Sequence, residues 1–185
     1  MNRPPHVPDA IRRDRYERIF REVYEPLQHY VLRRAAPSVV DDVVAEALSV
    51  LWRRLDEVPD DAALPWCYGV TRRCLANHRR GDTRRQQLAQ RLANEPVSVA
   101  VSLGNESELT AALEQLSTDE RELVRLWAWE QLQPREIAVV LAISANAVSI
   151  RLHRAQRRLA DALAAGRKDP GHAGHEAVGH AKEAR

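Results

Sequence analysis

From Gln133 to Leu159 the sequence QPREIAVVLAISANAVSIRLHRAQRRL confines the chain to few folds, because it reads as two short helices joined by a tight turn. Pro134 sits at a first-turn position behind Gln133. Glu136 can reach back to close a cap, and Ile137, Ala138, Val140 and Leu141 form an inward stripe. Ser144 caps the second helix, in which Val148, Leu152, Ala155 and Leu159 recur at i, i+4, i+7 and i+11. That register turns Asn146, Ser149, Ile150, His153, Arg154 and Arg157 outward and leaves Arg151 at the border. Any two amphipathic helices in a bundle share part of this pattern. Here four arginines and no acid lie between Ala145 and Arg158, which favours a face turned to phosphate over one that is merely solvated. Such a helix fits the major groove, its early residues at base edges and its arginines at bases or phosphates. Ala142 holds the turn position that often takes glycine, and keeping a left-handed backbone there costs on the order of 1 kcal/mol.

The remainder of the chain also reads as helical. Apolar residues make up 44%, enough for a core, while aromatic residues are only 5%. At 185 residues there is room for one ordinary domain or two small helical ones. A net charge of +2 is too small to argue for nucleic acid over the whole chain, so the distribution of charge must carry that argument. Cys67 and Cys74 fall seven apart on one predicted helix, about 10 Å at the usual rise, which is too far for a disulfide. They read as reduced core thiols. No apolar run has the length of a signal peptide or membrane span, which places the expected location in the cytoplasm with no membrane partner.

Residues 1–8, with Pro4, Pro5 and Pro8, are expected to be disordered. Helical spacing begins near Asp9 and continues through Tyr16, Ile19, Phe20, Val23, Tyr24, Leu27 and Val31, with Pro26 bending the run or splitting it into two helices. After Pro37, Ser38 is the expected cap of a helix with Val40, Val44, Ala47, Leu48, Leu51 and Leu55 on one face. Its other face carries Asp41, Asp42, Glu46, Ser49 and Arg53. Past a loop at DEVPDDAAL, Pro65 opens a third helix expected to bury Trp66, Val70 and Cys74. It runs into the densest positive charge of the chain: from Arg72 to Arg91 there are seven arginines and one acid, Asp82. A solvated helix end with cations complementing the dipole is the plainer reading. Trp66 and Tyr68 beside the stripe favour single-stranded nucleic acid, whose backbone pairs with basic groups and whose bases rest on aromatic and amide groups.

Residues 94–106 lose the helical period and read as an irregular linker. Beyond them Leu109, Ala112, Leu113 and Leu116 predict a short helix. Ser117 to Glu120, STDE, is a capping box for another that buries Leu123, Val124 and Trp127. The second domain then spans 107–165, and the glycine-punctuated tail, 166–185, reads as disordered. His172, His175 and His180 lie there outside any recognised zinc spacing, so neither a metal nor a cofactor is implied. The fold class is therefore all-α, two small helical domains joined by an irregular linker, 9–93 and 107–165, the second ending in a helix-turn-helix.

In this order the segments resemble an extracytoplasmic-function sigma factor of bacterial RNA polymerase, within the sigma-70 family, over about Tyr16 to Leu163. APSVVDDVVAEALSVLWRRLDEV is similar to the family's second conserved region, whose helix docks on the clamp helices of core RNA polymerase. The resemblance makes Asp41, Asp42, Glu46, Ser49, Trp52 and Arg53 the candidate docking residues. LPWCYGVTRRCLANHRR resembles the segment that opens the minus-ten promoter element and holds one strand, implying contacts from Arg72, Arg73, Asn77 and Arg80, with Trp66 supporting the helix. The stretch from Leu113 to Leu159 resembles the fourth region, which reads the minus-thirty-five element of promoter DNA as a duplex. Arg135, Asn146, Ser149, Ile150, Arg151 and Arg154 fall on its contacting positions. Ala45 stands where the family often has glutamine, which weakens one polar contact to the polymerase and leaves the acidic ones. Thr71 and Arg73 replace a common small residue and asparagine, and Asn77 replaces an aspartate, so the resemblance implies the binding mode but not the identity of the minus-ten sequence. Many relatives are held inactive by an anti-sigma factor, a further partner the resemblance implies.

Two other function classes compete. A polymerase-independent helix-turn-helix regulator would use only the last two helices, and it gives the arginine stripe no role. A ribonuclease reading rests on Arg73 and His78, spaced as in the R-x4-H motif of the all-helical HEPN enzymes, residues suited to phosphate stabilisation and proton transfer. No glycine-rich phosphate loop or clustered carboxylates point to an enzyme of another kind.

Overall fold

The computed structural model describes residues 9–93 and 108–168, without the side chains of 86–93 and of Arg167 and Lys168. The expectations for 1–8, for the linker and for the tail with its three histidines lie outside the described residues. Those residues form α1 (Asp9–Leu32), α2 (Val40–Arg53), α3 (Ala63–Ala93), α4 (Glu108–Glu114), α5 (Thr118–Ala128), α6 (Pro134–Leu141) and α7 (Ala145–Lys168). Short 3-10 turns, Pro37–Val39 and Leu55–Glu57, flank α2, and no strand occurs among the described residues. α7 continues through Gly166 to Lys168, past the expected boundary at 165.

Where sequence reasoning and structure part, packing or a backbone partner explains it. α1 is a single helix with Pro26 inside it rather than a pair. Pro26 lacks one backbone donor, but Leu27, Tyr30 and Val31 beyond it are all buried, and their packing carries the helix past the missing bond. Ser38 does not cap α2. It lies inside the first 3-10 turn, and the residue before the helix is Val39, with no side-chain cap. Trp66 is half-buried rather than core, whereas Val70 and Cys74 are fully packed. On α5 the buried set is Leu123, Val124 and Leu126, and Trp127 points to solvent. Leu109 on α4 is likewise exposed, while Ala112, Leu113 and Leu116 are buried. The capping box of α5 forms as expected: Ser117 Oγ accepts from the Glu120 N–H at 3.3 Å, and the Glu120 carboxylate accepts from the Ser117 N–H at 3.1 Å.

α1, α2 and α3 pack on one another, and α4, α5 and α6 each pack on α7. These two lobes are in contact. α3 packs against α6, and one hydrophobic core runs from Ile19 and Leu51 in the first lobe to Ile137, Val148 and Leu152 in the second. Gly69 permits the approach: a Cβ there would stand 3.2 Å from the Val140 carbonyl oxygen. Arg34 seals the contact, its side chain only 3% exposed. Its Nε donates to both oxygens of Glu122, at 3.2 and 3.1 Å, and its Nη1 donates to Glu130 at 2.8 Å. Arg33 also pairs with Glu130, and the Tyr30 hydroxyl donates to Glu122 at 2.9 Å. Removing one member of such a buried network leaves an uncompensated charge, which costs about 3–5 kcal/mol.

Candidate nucleic-acid interface

The helix-turn-helix is built from its caps inward. The Glu136 carboxylate accepts from the Gln133 N–H at 2.7 Å, with Pro134 opening α6 where a donor is not needed. Ala142 ends α6 in the left-handed region, φ 55°, at the position where the sequence argued for it. Ser144 Oγ then accepts from the Ala147 N–H at 3.2 Å, which starts α7. The two helices meet at 104°, within the range of helix-turn-helix units. Val148, Leu152 and Ala155 are buried, and this fixes the roll of α7 about its axis. Asn146, Ser149, Ile150, Arg151 and Arg154 are consequently exposed, as is Arg135 on α6. Arg135, Arg151 and Arg154 make no ion pair among the described residues.

On α3, Trp66, Arg73, Asn77 and Arg80 follow one another at i, i+7, i+11 and i+14 and so share a face. Arg72, Arg73, Asn77 and Arg80 are exposed, and Asn77 Oδ1 accepts from Arg80. Trp66 lies under the Arg54 guanidinium, 5.6 Å from the ring centroid. This face does not look into open solvent along its whole length. It borders a cleft of about 690 Å³ that α5 also lines, through Arg121 and Arg125. Sequence reasoning missed that lining, because nothing local to α5 says which helix it will face.

The remaining candidates lie on α2. Asp41, Asp42, Glu46, Ser49, Trp52 and Arg53 are all exposed, over a buried face of Val40, Val43, Val44, Ala47, Leu48 and Leu51. Trp52 is held at the end of the helix by an edge contact to Tyr16, centroids 5.2 Å apart, and by Arg12, whose guanidinium stands 5.4 Å from the ring centroid. An open groove lined by Tyr16, Ala45, Leu48, Ser49, Trp52 and Arg53 runs beside it. Glu46 also neighbours Cys74. Burial first, and this carboxylate second, push the Cys74 thiol up to about 11, and burial pushes Cys67 up to about 12. Both cysteines are free and buried, as their spacing required. Of Arg73 and His78, His78 Nδ1 lies 2.9 Å from Asp82 on its own helix, and Arg73 is exposed. Among the described residues no group of histidine, cysteine and carboxylate side chains could hold a metal ion. No single described helix is long and apolar enough to cross a membrane.

The family described as Sigma-70, region 4 matches residues 106–159, which contain α4 to α6 and most of α7. The RNA polymerase sigma-E factor of Streptomyces coelicolor is 31% identical over 140 residues, covering 72% of this chain and 77% of that protein. Among solved structures, the sigma factor RpoE in complex with the anti-sigma factor NepR from Bartonella quintana has a similar fold, with a TM-score of 0.60 at 19% identity. The match covers 80% of this chain and 96% of that one. The PhyRSL–NepR complex from Sphingomonas sp. Fr1 is also similar in fold, with a TM-score of 0.56 at 16% identity over 88% of this chain and 98% of that one. With its helix-turn-helix matched and a relative aligned through both lobes, the chain belongs to the extracytoplasmic-function sigma factors of the sigma-70 family, non-enzymatic regulators that bind core RNA polymerase and direct promoter recognition and transcription initiation.

Proposed function

We propose that three separate faces divide the promoter work. The exposed side of α7, with Arg135 of α6, reads the minus-thirty-five element as duplex. The face of α3 bearing Arg72, Arg73, Asn77 and Arg80, supported by Trp66, holds the separated strand of the minus-ten element. The acidic and aromatic side of α2 docks on the polymerase clamp helices through Asp41, Asp42, Glu46, Ser49, Trp52 and Arg53. The domain division that follows is 9–93 for docking and the minus-ten element and 107–165 for the upstream element. The observation that carries this reading is the exposure of all six upstream candidates, five on α7, whose other side is locked into the core, and Arg135 on α6.

Distance requires a rearrangement. The two promoter elements lie about 25 base pairs apart, roughly 85 Å along B-DNA. In the packed chain α3 touches α6 and α6 touches α7, so at about 8–10 Å between packed helix axes α3 and α7 approach to within about 20 Å of each other. The two faces therefore engage one promoter only after the lobes separate. Polymerase supplies the surface that holds them apart, and the gain is one of effective concentration, because neither small face offsets the cost of unstacking DNA alone.

Docking is tested by reversing charge on α2. Asp42→Lys with Glu46→Lys replaces two exposed side chains and no buried apolar one, so the expected outcome is a normally folded chain that no longer retains core polymerase in a pull-down. Normal retention contradicts the assignment. A regulatory partner is supported by the similar folds seen with NepR, called an anti-sigma factor in the Bartonella complex. Because a sigma factor works where polymerase meets the chromosome, we place this one in the cytoplasm. Membership in the family disfavours both the polymerase-independent regulator and the ribonuclease.

A further inference from the structure

The cleft between α3 and α5 carries a charge imbalance that the promoter reading uses only along its α3 wall. Four of its arginines come from α3: Arg72, Arg73, Arg79 and Arg80. Arg121 and Arg125 line it from α5, and Arg34 lies at its floor. Only two carboxylates join these seven cations, Asp119 at the rim and Glu122. Glu122 is already engaged by Arg34 and Tyr30. Arg72 and Arg73 have no ion pair among the described residues, and Arg121 spends its donors on the carbonyls of Leu113, Glu114 and Leu116.

Two nitrogen atoms of residues that line the cleft lack a hydrogen-bond partner in the protein. Arg34 Nη2 and Arg125 Nε are buried and make no hydrogen bond to the protein. The Arg34 side chain is 97% shielded, so its free donor cannot turn to bulk solvent. Burial, and after it the Arg34 guanidinium, push Arg125 below the usual arginine range. A buried donor left unmade is costly, and two guanidinium groups sharing one low-dielectric site are costlier. An anion in the cleft that these residues line offsets the repulsion between the two guanidinium groups.

We propose that this cleft is a binding site for a compact polyphosphate anion, a ligand carrying two or three linked phosphoryl groups, held jointly by both lobes. Guanidinium groups present planar pairs of donors that match phosphoryl oxygens, and they stay charged when partly desolvated. The volume, about 690 Å³, is that of an ordinary small-molecule site. The only aromatic ring among the residues lining it is Tyr30, fully buried and already covered by Arg34, so the phosphate chain and not a stacked base supplies the recognition. Because α3 and α5 belong to different lobes, the site exists only while the lobes are packed, and a bound anion favours that state. It also occupies Arg72, Arg73, Asn77 and Arg80. On the assignment of those residues to the minus-ten strand, ligand and promoter exclude each other.

The test is a calorimetric titration of the full chain, free of polymerase, with inorganic tripolyphosphate at physiological ionic strength. Saturable one-to-one binding is expected. Arg72→Gln, an exposed and unpaired residue of the first lobe, and Arg125→Gln, from the second, should each weaken it at least about tenfold. Arg157→Gln removes an equal charge from the exposed side of α7 and should leave affinity unchanged, as should sodium sulfate added at matched ionic strength. Wild-type affinity in Arg72→Gln, an equal loss in Arg157→Gln, or a response that never saturates each overturns the site. If Arg125→Gln disturbs folding, Arg72→Gln decides the question alone. Neither polymerase nor DNA enters the titration, so its failure leaves the docking and promoter assignments standing, and a failed polymerase pull-down does not bear on the cleft.

Discussion

Arg154 shows how far a single position can be argued. Two buried neighbours on α7, Leu152 and Ala155, fix the helix so that the Arg154 guanidinium is exposed with no ion pair among the described residues. Arg154→Ala should weaken upstream-element binding by polymerase carrying this chain by about 1–3 kcal/mol and lower the salt slope by about one ion. A footprinting titration that leaves both unchanged removes Arg154 from the interface. Residues like this are legible in sequence because helical period alone decides whether they face the core. Tyr30, Glu122 and Glu130 were not. Their partners lie roughly ninety positions away along the chain, and a carboxylate that will be buried against Arg34 looks like any surface glutamate until the lobes meet. Trp127 was misplaced for a related reason, since Leu126 and Trp127 both fit the helical stripe from Leu123 and only packing chooses between them.

Caps and turns made the later helices readable. Ser117 with Glu120, Pro134 with Glu136, and Ser144 are local chemistry, and each does in the fold what its spacing implied. Ser38 is the exception. A 3-10 turn in which the Val39 N–H donates to Ala36 carries the chain into α2 without a side-chain cap. Gly69 is the element-scale feature that escaped notice, because a glycine in the middle of a helix has no local signature of what approaches it. Gly69→Leu is a two-sided change. It should favour α3 by about 0.8–1 kcal/mol of helix propensity, yet its side chain meets the Val140 carbonyl and must push α6 away. The expected result is unchanged helicity with a larger radius of gyration in X-ray scattering. A helical variant as compact as the parent would show that the α3–α6 contact does not hold the lobes together.

At the scale of the molecule, both lobes share one core, and that core carries a pH signature. Cys67 is raised to about 12, Cys74 to about 11 and Tyr68 to about 12, in each case first by burial, and Tyr30 is raised as well. These groups keep their protons in the fold after the unfolded chain, with thiols near 9 and phenols near 10, has begun to release them. Their contribution is therefore complete below about pH 9 and declines as the pH rises toward 12. The urea midpoint should fall between about pH 8 and about pH 10.5, and a midpoint that rises over that interval contradicts the packing described for these four groups. That the two lobes form one body was not legible in the sequence, which suggests two modules on a tether. Beside the shared apolar core, the surface that joins them rests on a glycine, a tyrosine and two arginines of the first lobe, none of which announces a partner.

The central claim is that packed lobes become a promoter grip when polymerase parts them, and reconstituted transcription tests it most directly. Purified core polymerase is combined with the chain on a genomic template and start sites are mapped, with and without the chain and with the Asp42→Lys/Glu46→Lys variant. The account predicts a set of starts that appears only with the wild-type chain, each preceded by shared minus-ten and minus-thirty-five sequences. Starts that are the same in all three reactions would contradict it.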